Sequence, residues 1–288
     1  MQAVAAFLMD EPDHKPLFGW QPLTPRGVAG FASASLGRLL LVQFIVALLA
    51  AGALVWFLQT AWFSAIREAI TRLPAQGAVR SGALDWPGDS ALKLAENHFL
   101  ALVVDPAHAG PIRSPAHLQV EFGRKDLEII SLGGYLRIPY QTKRLLMFNR
   151  TELEPWWGAW APALLALAAA LAISGLMLAW SLLATLYCLP VWLAGFMANR
   201  QLTLSGSWRL AGAALMPGAL LVTAAILAYG LGALDLVKLA GAGAGHILLG
   251  WIYLLASVLS LPRHHAAPAS LDNPFAEPPR PPNPDCDA

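Results

Sequence analysis

From Arg38 to Phe63 the chain reads RLLLVQFIVALLAAGALVWFLQTAWF, and after the opening arginine no ionisable side chain interrupts it. Few folds accept such a run. About 20 helical residues cross a hydrocarbon layer ~30 Å thick, and a helix satisfies its own backbone hydrogen bonds where water cannot. Gln43 and Gln59 are the strong polar groups of the run, and Trp56, Trp62 and Phe63 mark its far interface. We therefore read 38–63 as transmembrane helix 1, an uncut signal anchor: the start, MQAVAAFLMD, has neither a basic leader nor a cleavage site.

The same character returns over 156–262, read as a three-span helical block. Trp156, Trp157 and Trp160 suit an interface, with Pro162 in the first turn. The apolar stretch to Met197 is too long for one crossing, yet no polar turn divides it. We read one helix to about Leu186, a break near Pro190 and an interfacial helix near 190–199; a double crossing of 156–198 stays open. The third span runs from about Arg209 to Leu231, loosened at Pro217. The fourth runs from about Gly243 to Leu261, after a short loop with Asp235 and Lys238.

Between spans 1 and 2 the period changes. Ile66, Ile70 and Leu73 share one face of a helical stub that Pro74 ends. Beyond Ser81, GALDWPG and FLALVVDP read as short strands, and the alternation of Leu118, Val120 and Phe122 before Arg124-Lys125 and DLEII argues a hairpin; LRIPY adds a strand. Residues 64–155 thus form a small β-rich domain with a poor core of its own, leaning on the membrane surface or a partner. Ahead of the first span, 1–37 is a polar lead. Thr24-Pro25 opens a short helix there, carrying Val28 and Phe31, which is an interfacial helix or a plain linker. Residues 263–288 are a proline-rich tail expected to be disordered.

The fold class is therefore an α-helical integral membrane protein of about four transmembrane helices, with a small β-rich extracytoplasmic domain between spans 1 and 2. Composition agrees: 57% of residues are hydrophobic and 13% charged, against about 25% charged in soluble domains. A net charge of +1 removes the bulk electrostatic case for nucleic acid. Cys188 and Cys286, in an apolar run and in the tail, give no disulfide. Lys15, Arg26, Arg38, Arg200, Arg209 and Arg263 flank one side of the spans, which places both termini in the cytoplasm of a plasma (inner) membrane; Arg67, Arg72 and Arg150 argue the other way.

The order of parts, a span, a stub ending in proline (AIREAITRLPAQGAVRSGALDW), strands through VVDP to a hairpin, then a multi-span block, resembles a family of uncharacterised bacterial multi-span membrane proteins (a domain of unknown function) with an extracytoplasmic domain after the first helix. The block from LTLSGSWRLAGAALMPGALL onward is distantly Yip-like. The resemblance implies fold and topology and brings no catalytic residues with it.

Chemistry has little material here. No charge lies well inside a span, where it would mark a functional site. Gln43, Ser174, Thr185, Thr223 and Tyr229 are read as interhelical hydrogen-bonding groups. Ser174 has no partnered base, and His246 sits at a helix entrance. Gly241 and Gly245, within GAGAG, have the spacing that lets two backbones approach; no strand precedes them, so they are no dinucleotide fingerprint. In the domain, Glu96, Asn97, His98, Asp105, His108 and His117 are spaced too widely to define a metal site. Asp85 and Asp89 flank a Trp-Pro-Gly turn. Asn149-Arg150-Thr151 and Asn273-Pro274-Phe275 are chance motifs.

We assign no catalytic, cofactor-binding or metal residues. The expected function is non-enzymatic: an envelope binding, sensing or assembly component acting through its extracytoplasmic domain. The alternatives are transport or lipid handling as an oligomer, and an enzyme at the outer leaflet using Asp85, Asp89 or the histidines. Expected partners are the lipid bilayer and an envelope protein or a second copy of the chain.

Overall fold

The computed structural model describes residues 20–88, 90–107, 110, 113–141 and 145–263. The expectations for Asp89, His108, Cys286, the 273–275 motif, the start of the lead and the tail lie outside these residues.

Among the described residues, four helical stretches are long and apolar enough to cross a membrane: Leu36–Thr71, Arg150–Met197, Leu204–Gly230 and Leu236–Leu259. A β-rich region stands between the first and second. Thr24 caps the short helix α1 (Pro25–Gly30), its hydroxyl accepting from the Gly27 N–H at 3.1 Å. Val28 and Phe31 are wholly buried among the long helices, so the segment packs on the bundle rather than standing as a plain linker. Two polar contacts pull the segment inward. The Tyr253 hydroxyl donates to Leu23 O at 2.7 Å, and Arg209 Nη1 donates to Ala34 O at 2.7 Å.

The first stretch is α2 (Leu36–Phe57), a π-helical segment (Leu58–Phe63) and α3 (Ser64–Thr71), without a break. Hydroxyls four residues apart favour the wider turn. Thr60 Oγ1 donates to Trp56 O at 2.8 Å and Ser64 Oγ to Thr60 O at 2.6 Å, which is the back-bonding that loosens helices.

The second stretch corrects the sequence reading. Helix α4 (Arg150–Met197) runs 48 residues through Pro155, Pro162 and Pro190 as one continuous helix, without the break expected near Pro190 or a separate helix near 190–199. Proline deletes one backbone bond and crowds the preceding turn, but here packing holds the axis. Val191 is fully buried, a Cβ on Gly195 would stand 2.9 Å from the Leu202 side chain, and Cys188 Sγ donates to Leu204 O at 3.3 Å. The helix ends at Asn199, whose φ of 54° lets Arg200 N–H return to Gly195 O at 2.9 Å.

The third stretch divides at Leu215 into α5 (Leu204–Ala214) and α6 (Met216–Gly230), beside Pro217 as expected. Helix α7 (Leu236–Leu259) starts two turns earlier than the hydropathy implied. Asp235 is its N-cap, accepting from Lys238 N–H at 2.7 Å, so the pair that read as a loop is a helix start. Arg200 Nη1 donates to Leu261 O at 2.6 Å, joining the end of α4 to the end of α7.

The polar groups of the long helices serve packing in different ways. Gln43, 2% exposed, donates to Gly212 O at 3.2 Å, and Trp208 Nε1 donates to Thr185 Oγ1 at 3.0 Å. Such bonds contribute ~0.6–2 kcal/mol each. Ser174 and Thr223 instead donate within their own helices, to Ala170 O and Ala219 O. Gly241 and Gly245 face open space; the close approach belongs to Gly218, where an added Cβ would lie 2.7 Å from His246 O. Spacing identifies small residues but does not say which face meets a neighbour. His246 itself lies well inside α7, its ring bonded to Gly243 O.

The β-rich region holds two sheets. One has order β2-β1-β8, with β1 Ala78–Arg80, β2 Ala83–Asp85 and β8 Leu146–Met147; the other has order β3-β4-β5-β6-β7, with β3 Leu92–Glu96, β4 Leu100–Val104, β5 Leu118–Phe122, β6 Asp126–Ser131 and β7 Gly134–Pro139. The expected hairpin is β5–β6, antiparallel with Val120 opposite Ile129. The parallel pairing of β4 with β5 was not foreseen, since parallel strands cannot be joined by a tight hairpin turn. Asp105, 2% exposed, accepts from the N–H groups of Ala107 and Gly110.

The domain's core is not its own. Leu94, Leu100, Leu102, Val104 and Phe148 pack against Ala65, Ala69 and Ile70 of α3 and Leu73 just beyond it, with Leu153 and Trp157 of α4 completing the cluster. The helices that leave the bundle supply the apolar wall that the short strands lack.

Candidate functional site

The junction between the sheets and the helices carries two features. The first is a polar and aromatic seam. Asn97, in the β3–β4 turn, accepts on Oδ1 from the N–H groups of Phe99 (2.9 Å) and Leu100 (2.8 Å), and its Nδ2 donates to Ala61 O at 2.5 Å. Ala61 lies in the π segment, whose registry change leaves carbonyls off the ordinary helical ladder. Beside it, Phe57, Phe99 and Tyr229 meet at centroid distances of 5.0–5.4 Å. The Tyr229 hydroxyl lies 2.6 Å from His117 Nδ1, and His98 packs edge-on against His117 at 4.4 Å between ring centroids. Arg72, the C-cap of α3, adds a bond from Nη1 to Leu94 O at 3.0 Å.

Sequence spacing did not bring His98 and His117 together; the parallel β4–β5 pair does, because His117 N–H bonds to His98 O at the head of the ladder. Asp85 lies in the other sheet, away from them. Among the described residues no three His, Cys, Asp or Glu side chains gather as a metal site. Glu96 turns instead to Lys93 and to the Ser114 hydroxyl, and these hold its carboxyl below the ordinary range.

Burial pushes the His117 imidazole below its ordinary value near 6.5. The neighbouring His98 acts in the same direction, and Asp235 pulls weakly upward. The seam therefore favours a neutral His117 ring. Below about pH 6.5 the released ring binds a proton more readily than the docked one, so docking weakens as pH falls through this range. Thermal unfolding of the detergent-solubilised chain is expected at lower temperature at pH 5 than at pH 7, with a flatter profile for His117→Gln. Identical profiles for the two proteins would remove His117 from this role.

The second feature is an apolar cavity of about 280 Å³ between α3, the β3–β5 face and the start of α4. Ile70, Leu94, Leu102, Phe122, Phe148 and Trp157 are among its walls. A second cavity of about 520 Å³ adjoins it through Phe122, Phe148, Leu153 and Trp156, and Tyr140 and Glu152 stand in its wall. The Trp157 indole N–H is buried without a hydrogen-bond partner. In the sequence, the shared face of Ile66, Ile70 and Leu73 was legible, and Trp156 and Trp157 read as interface residues. That these two surfaces face each other across a gap was not legible, since their approach depends on the sheet between them.

No protein-family model, curated protein or solved structure matches the chain.

Proposed function

We propose that the chain is a non-enzymatic, multi-pass protein of the plasma (inner) membrane, whose β-rich domain stands outside the cytoplasm and binds an envelope partner or ligand while the helices anchor it and carry the bound state to the bundle. The observation that carries this reading is the absence of a linker. Helix α2 continues through the π segment into α3, α4 begins within three residues of β8, and both helices contribute to the domain core. An event that shifts the sheet is therefore felt by two long helices. Orientation is supported by charge. Arg26, Arg38, Arg200, Arg209 and Arg263 cluster at the end of the bundle opposite the domain, which matches the excess of basic residues on the cytoplasmic side.

Arg150 N–H bonds to Pro74 O at 3.2 Å, so the domain's entry and exit adjoin, and residues 76–148 can be exchanged for a short Gly-Ser linker. The shortened chain is expected to insert in the membrane and to lose the proteins recovered with the full chain in a crosslinked pull-down. Recovery of the same proteins by both would remove the domain as the binding element. The alternative, lipid handling as an oligomer, draws support from the apolar cavity and from α4, of whose most apolar window only 6% is buried, against 56% for Leu204–Gly230.

A further inference from the structure

We infer that the tip of the β6–β7 hairpin, residues 131–135, dips into the bilayer beside the helices and holds the β-rich domain down on the membrane. The inference rests on the part of the proposal above that sets the helices in a membrane with the domain at its surface. Ladder register and the residues of the tip carry it.

Register aims the tip. Strand β3 meets the first long helix at two levels: at its end Asn97 donates to Ala61 O, and further back Leu94 O accepts from Arg72, well beyond Ala61 along that helix. The strands therefore run along the helix axis, with the Asn97 end nearest the bundle. Strands β4 and β5 both start at this end. Phe99 packs on Phe57, and His117 meets Tyr229, one residue before α6 ends. Pairing carries the level across the sheet, since Leu100 stands opposite Leu118, Leu118 opposite Ser131 and Ser131 opposite Gly134. The turn at Leu132-Gly133 thus comes down at the depth where α6 ends, about 5–10 Å to the side of β5. Leu231 and Val237, exposed on either side of the α6–α7 turn, bring the apolar rim of the bundle to the same level.

The residues of the tip suit hydrocarbon. Higher on the hairpin the two faces alternate as in a half-solvated sheet. Leu127 and Ile138 lie on the face of Phe122, while Glu128 and Arg137 lie on the other, paired at 3.1 Å. At the two rungs next to the turn the alternation stops, with Ile129 and Leu136 on one face and Ile130 and Tyr135 on the other. Leu132 is 70% exposed and Tyr135 72%. No charged side chain occurs from Ile129 to Leu136. From the turn up to the Glu128–Arg137 rung this uncharged length is about 10 Å, which matches the ~5–10 Å to which interfacial anchors sink. Ser131 Oγ accepts from Gly133 N–H at 3.3 Å and donates to Gly134 O at 3.5 Å, so the turn satisfies polar groups that hydrocarbon would leave unpaired. A tyrosine beside the turn fits the headgroup level.

A strand of a second copy is the other occupant that an edge such as β7 could take. Arg137 and Pro139 stand on that edge, and charges and prolines are the devices that keep edges from pairing. Neither reaches the tip.

The test uses the full chain with Cys188→Ser and Cys286→Ser, into which one cysteine at a time is introduced and labelled with an environment-sensitive fluorophore. Leu132→Cys reads the tip, Lys125→Cys the opposite end of the sheet, and Leu171→Cys an exposed position of α4. All three sites are exposed, so the labels displace no packing. The proteins are placed in vesicles of phosphatidylethanolamine and phosphatidylglycerol, with spin-labelled phosphatidylcholine as the lipid quencher and iodide on both sides as the aqueous one. The label at Leu132→Cys is expected to be quenched severalfold more by lipid, and severalfold less by iodide, than the label at Lys125→Cys. Adding Tyr135→Glu is expected to reverse both differences and to leave the label at Leu171→Cys unchanged. A tip label that behaves like the one at Lys125→Cys, beside a lipid-quenched label at Leu171→Cys, overturns the inference and leaves the helices in the membrane. Iodide protection without lipid quenching, with Leu132→Cys forming a disulfide between copies, overturns the bilayer in favour of a second chain. A label at Leu171→Cys open to iodide removes the membrane placement and the inference with it. Lipid quenching at the tip in a chain that captures no partner supports the inference and removes the binding role.

Discussion

Asn97→Ala is expected to release the β-rich domain from the first long helix while the four-helix block stays folded. One side chain makes three bonds at this point. Two close the β3–β4 turn, and the third reaches Ala61 O in the π segment. Alanine leaves the N–H groups of Phe99 and Leu100 without their acceptor and removes one donor from Ala61 O, which also accepts from the Ser64 hydroxyl at 3.3 Å. One of the three bonds crosses the seam, and its loss costs about 1–3 kcal/mol where water cannot replace it, so an effect of about 1–3 kcal/mol on docking is expected. Hydrogen exchange followed by mass spectrometry reads it directly, as faster exchange at Phe99, Leu100 and the residues of β4, with α5 unchanged. Asn97→Asp separates the two functions. Its carboxylate still accepts from Phe99 and Leu100 but has no proton for Ala61 O, so the turn should survive while the dock opens. Unaltered exchange in both variants would show that the aromatic cluster of Phe57, Phe99 and Tyr229 holds the seam alone.

The second large effect is expected at Gly218. A Cβ there would stand 2.7 Å from the backbone oxygen of His246, which cannot rotate away as a side-chain tip could. Helices α6 and α7 must separate to admit it, and Gly218→Val is expected to destabilise the bundle by about 1–3 kcal/mol. Gly241→Ala provides the contrast. Nothing lies within 4 Å of that position, and alanine is favoured over glycine in a helix by up to about 1 kcal/mol. Unfolding in a detergent gradient, followed by circular dichroism, should place the two variants on opposite sides of the parent chain. A destabilised Gly241→Ala beside a neutral Gly218→Val would mean that the α6–α7 interface is assigned to the wrong face.

Of the junction, the sequence showed the parts and not their meeting. The apolar face of Ile66, Ile70 and Leu73 follows from a 3.6-residue period, and the β5–β6 hairpin from a period of two, because both depend on neighbours along the chain. His98 and His117 meet because a crossover returns β5 parallel to β4, and no local pattern encodes the direction of that return. The Ala61 carbonyl becomes an acceptor because the helix widens at Leu58–Phe63. Thr60 and Ser64 were visible there, but hydroxyls at that spacing occur in ordinary helices as well.

What the amino-acid sequence determined by itself was the set of long apolar helices and the strand-forming region between the first two, since uncharged length and residue period act locally and need no partner. The tertiary structure alone decided three things: that α4 runs unbroken through Pro190, that α1 packs into the core of the bundle, and that Gly218 rather than Gly241 marks the close contact. Each depends on what packs against the segment, and packing energies arise between residues far apart in the chain.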